Sequence, residues 1–133
     1  MKPNYIFLVV DDNLIDQLVA KQLLKKVLDV EVCNVNITNN WLEAIEWICN
    51  YRNQFDHPLV ILLDIQMPEM NGLEFLQKYE NLPKYLQLET QIYMLTSSLN
   101  IDEINQLKDN CKVTGFLSKP FPAEFGKMIY SDL

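Results

Sequence analysis

Clustered basic charge is what this chain most plainly lacks. Its 11 Lys and Arg are outnumbered by 18 Asp and Glu, the net charge is −7, and the longest basic cluster is Lys25-Lys26. Nonspecific nucleic-acid binding relies on grouped cations that displace counterions from phosphates, so that class of function is disfavoured. Zinc-type ligand spacing is also missing. Cys33, Cys49 and Cys111 lie far apart with no CxxC, and His57 is the only histidine. Structural zinc needs grouped Cys and His, so the cysteines read as buried free thiols in a reducing cytoplasm. No apolar run approaches the roughly 20 residues that cross a bilayer. The opening Met1-Lys2-Pro3-Asn4 leads into a short apolar stretch and then Asp11-Asp12, with no small-residue cleavage site, so no signal peptide is read. Internal repeats and low-complexity tracts are absent as well.

What is present is an ordinary globular balance: 133 residues, 49% hydrophobic and 22% charged, enough for one domain with one core. Apolar runs alternate with amphipathic stretches. Strands are expected at Tyr5 to Val10, Val30 to Val35, Leu59 to Leu63, Gln91 to Leu95 and Val113 to Leu117. The run Leu59-Val60-Ile61-Leu62-Leu63 is wholly apolar, as a central strand covered on both faces would be. Helices are expected between them. One spans Asn13 to Leu28 with Ile15, Leu18, Val19, Leu23 and Val27 turned inward. A second is capped by Asn39-Asn40 and carries Leu42, Ile45, Trp47 and Ile48. A third opens at Asn71-Gly72 with Leu73, Phe75, Leu76 and Tyr79. A short helix over Ile101 to Asn110 and a last one over Pro122 to Ser131 complete five β-α units, while Asn81 to Thr90, with Pro83, reads as an extended surface loop. This alternation implies an α/β fold, a parallel sheet with helices on both faces.

Chemistry-bearing residues close these runs. Asp11-Asp12 follow Val9-Val10, Asp64 ends the central run with Met67-Pro68 just after it, Thr96-Ser97 follow Tyr93-Met94-Leu95, and Lys119-Pro120 follow Phe116-Leu117. In a parallel α/β sheet the C-terminal strand ends share one edge, and ligands bind in the crevice there. Three carboxylates, a hydroxyl and an ammonium would meet at that edge, a set suited to a divalent cation and a phosphoryl group.

These residues give the chain a resemblance to the receiver domain of two-component response regulators, the CheY-like family. The run Asp64-Ile65-Gln66-Met67-Pro68-Glu69-Met70-Asn71-Gly72 is similar to that family's D-x-x-M-P-x-M-D/N-G signature. The acidic pair Asp11-Asp12 before it, and Thr96-Ser97-Ser98 and Gly115-Phe116-Leu117-Ser118-Lys119-Pro120 after it, extend the match over nearly the whole length. The resemblance implies a flavodoxin-like, doubly wound five-stranded parallel sheet in the order 2-1-3-4-5. It also implies a single receiver domain over residues 1–133, without an output domain.

The same resemblance assigns roles. Asp64 is the expected phosphoacceptor, a carboxylate nucleophile that becomes an acyl phosphate. Mg2+ is the expected cofactor, ligated by Asp12, Asp64 and the backbone carbonyl of Gln66, with Asp11 acting through a coordinated water. Lys119 and Thr96 would hold phosphoryl oxygens, and the Lys119-Pro120 bond would be cis. Gln66 and Ser98 would set the lifetime of the acyl phosphate. Thr96 and Phe116 would form the switch, with Phe116 lacking the hydroxyl of the tyrosine often found there. The partner would be a sensor histidine kinase or a histidine phosphotransfer protein, in the cytoplasm, with no nucleic acid and no membrane. The output surface would lie over Ile101 to Ser131, including Phe121, Phe125 and Met128. Such a receiver catalyses its own phosphorylation and dephosphorylation and is otherwise no enzyme.

Other readings fit less well. A phosphatase of the haloacid dehalogenase type needs a second Asp two residues after the nucleophile, where this chain has Gln66. A flavin carrier needs a hydroxyl- and glycine-rich loop after the first strand, where Asp11-Asp12 stand. A pseudo-receiver that works only through protein contacts would not need every active-site position filled. His57, beside Pro58 in an expected loop, reads as a surface residue and not as a reactive histidine on a helix.

Overall fold

A computed structural model describes residues 6–28, 35–54, 58–64, 66–67, 70–87, 90–96, 105, 107–110 and 112–118. Its strands are β1 (Ile6–Val10), β2 (Val35–Thr38), β3 (Leu59–Asp64), β4 (Thr90–Thr96) and β5 (Gly115–Ser118). All pair in parallel, in the order β2-β1-β3-β4-β5. The helices are α1 (Leu14–Leu28), α2 (Trp41–Gln54) and α3 (Gly72–Glu80). This is the doubly wound order expected from the sequence. β3, with every residue buried, lies in the middle because an all-apolar strand needs cover on both faces.

The period-2 alternation of the strands divides the core into two layers. Phe7, Val9, Val60 and Leu62 point to one face and meet Ala20 and Leu24 of α1. Leu8, Val10, Ile61 and Leu63 point to the other and meet Ala44 and Ile48 of α2 and Phe75 and Leu76 of α3. On that second face Trp47 stacks on Tyr51 and Phe75 on Tyr79, with ring centroids 4.9 and 6.1 Å apart. Asn40 caps α2: its Oδ1 accepts the Glu43 N–H at 2.9 Å, while Glu43 Oε1 reaches back to the Asn39 N–H at 3.2 Å. This reciprocal pairing satisfies donors that a helix start would otherwise leave open.

The structure corrects several sequence expectations. In α1 the buried positions are Gln17, Ala20 and Leu24, while Ile15 is 70% exposed, Leu18 53% exposed, and Leu14 and Val19 are exposed too. Leu23 is half-buried, and the side chain of Val27 lies outside the described set. Apolar residues occur around most of this helix, so spacing alone does not choose a face. Gln17 chooses it, because its Nε2 donates to the Asp11 carbonyl and to Asn39 Oδ1, and a buried amide needs such partners. In α2, Leu42 points outward while Ala44, Ile48 and Tyr51 are buried.

The second strand, expected over Val30 to Val35, runs on to Thr38, with Val35–Thr38 described; residues 29–34 lie outside the described set. Pairing with β1, Phe7 to Val35 through Val10 to Thr38, draws in Asn36 despite its low strand propensity. The stretch expected as an extended loop instead holds a 3-10 turn at Lys84–Gln87, with Leu86 buried and Gln87 Nε2 donating to the Leu82 carbonyl at 2.8 Å. Leu82 and Leu86, four apart, supply the apolar side that pins it. β4 is longer than expected by Thr90 and Thr96, and β5 starts at Gly115, not Val113. At Gly115 a Cβ would come within 3.3 Å of the Tyr93 ring. Cys49 is half-buried and unbridged. Cys33, Cys111, His57, most of the two expected C-terminal helices and Phe121, Phe125 and Met128 lie outside the described residues.

Candidate functional site

Strand register brings the acidic residues together. Val10 pairs with Leu63, so the next residues, Asp11 and Asp64, come level at the C-terminal edge. Asp64 in turn pairs with Leu95, and Thr96 with Ser118. Thr96 thus ends β4 beside Asp64, and Ser118, just before Lys119, ends β5 beside Thr96. Gln66 follows in a two-residue antiparallel ladder, Gln66 with Asn71 and Met67 with Met70, which folds the signature segment back toward α3.

Asp11 is 1% exposed and Asp64 7% exposed. Asp11 is held on three sides. Its N–H donates to the Thr38 carbonyl at 3.1 Å, its Oδ1 accepts the Asn13 N–H at 2.9 Å, and its carbonyl accepts Gln17 Nε2. Asn13 caps α1, its Oδ1 accepting the Asp16 N–H at 3.0 Å. That cap places Asp16 in the first turn of α1, above the strand edge. One carboxylate oxygen each of Asp11, Asp16 and Asp64 lies within 4.8 Å of the other two. Asp12 is exposed and is not one of these three.

Unit charges about 5 Å apart repel by roughly 3 kcal/mol at an effective dielectric near 20. The positive end of the α1 dipole offsets part of this. Three carboxylates, two of them buried, are an all-oxygen donor set of the kind that hard divalent cations prefer. The arrangement gathers three carboxylates at one end of the sheet.

Of the residues expected from sequence, the structure brings Asp11 and Asp64 together, with the Gln66 backbone and the Thr96 backbone at the same edge. Phe116 is half-buried in β5 and packs against the α2/α3 layer. Ser98 and Lys119 lie outside the described residues. Sequence reasoning missed Asp16, Gln17 and Asn39. A usable signal existed for Asp16: an Asn cap right after the strand-end acids sets the third helical residue over the same edge.

The family profile of the response regulator receiver domain matches residues 7–128. The chain belongs to the response regulator receiver family. A response regulator receiver protein from Dyadobacter fermentans DSM 18053 superposes on this receiver with a TM-score of 0.74 at 32% identity, covering 89% of this chain and 88% of that one. A two-component response regulator from Cytophaga hutchinsonii has the same fold, with a TM-score of 0.87 at 21% identity over 98% and 97% of the two chains. Among curated proteins, "Probable histidine kinase 1" of Oryza sativa subsp. indica is 39% identical over 77 residues, 56% of this chain and 7% of that protein. The receiver spans less than half the length of the curated relatives it matches. Receivers are phosphorylatable signalling switches that work with histidine kinases in two-component systems. Among the described residues no helix is long and apolar enough to cross a membrane.

Proposed function

We propose that this receiver takes a phosphoryl group from a partner's phosphohistidine onto Asp64, in a Mg2+-dependent reaction that it catalyses itself, and changes its protein-binding surface as a result. The observation that supports this most is the meeting of the buried Asp64 carboxylate with Asp11 and Asp16 at the C-terminal edge of the sheet. The donor is a sensor histidine kinase or a histidine phosphotransfer protein, and the setting is cytoplasmic.

A carboxylate oxygen of Asp64 attacks phosphorus in line. The new O–P bond forms as the P–N bond to the donor imidazole breaks, and its electron pair returns to the ring nitrogen. Such a transition state is loose and highly charged, so positioning and charge compensation dominate. Asp12, Asp64 and the Gln66 carbonyl would hold Mg2+, with Asp11 acting through a coordinated water; when bound, the ion offsets the carboxylate charge and that of one phosphoryl oxygen. Lys119 follows the end of β5 and pairs with a second oxygen. The Thr96 hydroxyl takes a third and moves toward it, and Phe116 turns inward behind it. That is a local charge event biasing a two-state element. Gln66 and Ser98 flank the path of water to the acyl phosphate and set its lifetime.

Gln66 in place of a second acid counts against a haloacid dehalogenase-type phosphatase. The test is intact mass after incubation with phosphoramidate, with and without Mg2+, on wild type and Asp64→Asn. One added phosphoryl group that requires both Mg2+ and Asp64 is the expected result. Equal labelling of Asp64→Asn would overturn the acceptor assignment. A wild type that neither gains mass nor binds Mg2+ would leave a pseudo-receiver.

A further inference from the structure

We infer that Gln17 is a positioning residue for the acid pair: its side-chain amide sets the peptide between Asp11 and Asp12, from whose two ends the cation-holding carboxylates leave. This rests on the Mg2+-dependent reading above, and it gives Gln17 no contact with the ion or the phosphoryl group. The chain is gripped just past the sheet. The β1–β3 register runs to Val10 and Leu63, and Asp11 is the next residue. Its N–H donates to the Thr38 carbonyl at 3.1 Å, and its carbonyl accepts Gln17 Nε2 from the first turn of α1. A peptide unit is planar, so a donor fixed on the Asp11 carbonyl also fixes the Asp12 nitrogen and the direction in which Asp12 departs. Asp12 is exposed, whereas the amide that steers it is buried.

Chemistry dictates the direction of this amide. A backbone carbonyl only accepts, so the end of Gln17 that meets Asp11 is its NH2. The same group donates to Asn39 Oδ1 at 2.8 Å, and the Asn39 N–H is held by Glu43 Oε1 at 3.2 Å. Gln17 is anchored at its base as well, its own N–H donating to the Asn13 carbonyl at 3.0 Å. The start of α1 and the start of α2 thus hold one amide in one orientation. Burying an amide carries a desolvation cost that a methionine of similar length would not. What the amide adds over that methionine is its hold on Asp11 and Asn39. Groups that orient metal ligands without touching the metal ordinarily account for ten- to a hundredfold in affinity.

The test compares wild type, Gln17→Met, Asn39→Ala, the double variant and Asp64→Asn. A Leu24→Val or Leu24→Ala protein, whichever matches Gln17→Met in urea stability, serves as the packing control on the same helix face. Mg2+ binding to the unphosphorylated protein is read by calorimetry, and the rate of mass gain from phosphoramidate is read across Mg2+ concentrations. Gln17→Met should weaken Mg2+ binding about tenfold and raise the half-saturating Mg2+ concentration by the same factor, with the rate at saturating Mg2+ retained. Asn39→Ala should share part of that loss, and the double variant should lose no more than Gln17→Met, because both changes cut one link. The Leu24 variant should bind as wild type does. A Gln17→Met protein within about twofold of wild type, a Leu24 variant that loses as much, or a double variant whose losses add would overturn the inference. If wild type then still bound Mg2+ and Asp64→Asn did not, the Mg2+ reading itself would stand. A wild type that does not bind Mg2+ would sink both.

Discussion

The two faces of the sheet are built differently. The α2/α3 face is a conventional apolar layer: Ala44, Ile48, Phe75 and Leu76 press on the strands, and two aromatic stacks reinforce it. Among the described residues the α1 face is thinner. Of the described side chains of the helix only Ala20 and Leu24 are apolar and buried, Gln17 is buried beside them, and four large apolar residues face outward. If burial of apolar area alone chose its orientation, α1 would turn Ile15 and Leu18 inward. Instead its rotation follows polar anchors at its first turn, and these same anchors set Asp11 and Asp16 at the strand edge. One face is arranged for stability and the other for the site. The helix carries exposed apolar surface because its orientation serves the acids.

That contrast can be broken from either side. Phe75→Ala should remove the most, about 3–5 kcal/mol and roughly 10–20 °C in Tm, with the cation affinity of the folded protein unchanged; calorimetry and Mg2+ titration together check it. Gln17→Ala should cost less, about 1–3 kcal/mol, because the Asp11 carbonyl and Asn39 lose a buried partner. Unlike Phe75→Ala, it should also loosen cation binding, since Asp11 would no longer be held from α1. An unchanged affinity in Gln17→Ala would mean that the anchors serve the fold alone. Leu18→Ser should change stability least, within about 0.5 kcal/mol, by urea denaturation. A loss above 2 kcal/mol there would show that the outer face of α1 is packed in solution.

Much of this was legible in the sequence, and the limits are physical. The all-apolar Leu59 to Leu63 run fixed the central strand, and Asn39-Asn40 marked the start of α2. The edge acids followed from strand ends, because register in a parallel sheet brings those ends level. The inward face of α1 was not legible, since Leu14, Ile15, Leu18, Val19, Ala20 and Leu24 leave several apolar stripes and the choice depends on Asn39, 22 residues from Gln17. The second strand was ended too early for a related reason: Asn36 and Thr38 look like turn residues until β1 supplies partners. The 3-10 turn over Lys84–Gln87 was hidden by Pro83, which signals a break and also starts such a turn, its carbonyl accepting the Leu86 N–H at 3.0 Å.

The Gln17 amide has a consequence on the evolutionary scale. One NH2 group spans the carbonyl after β1 and the Asn39 side chain after β2, so a change at position 39 is felt at position 17. A lineage that replaces Asn39 with an apolar residue strands a buried donor, and its descendants should trade Gln17 for a residue that needs no such acceptor. The pair should therefore drift together across relatives while the outward leucines of the same helix change freely.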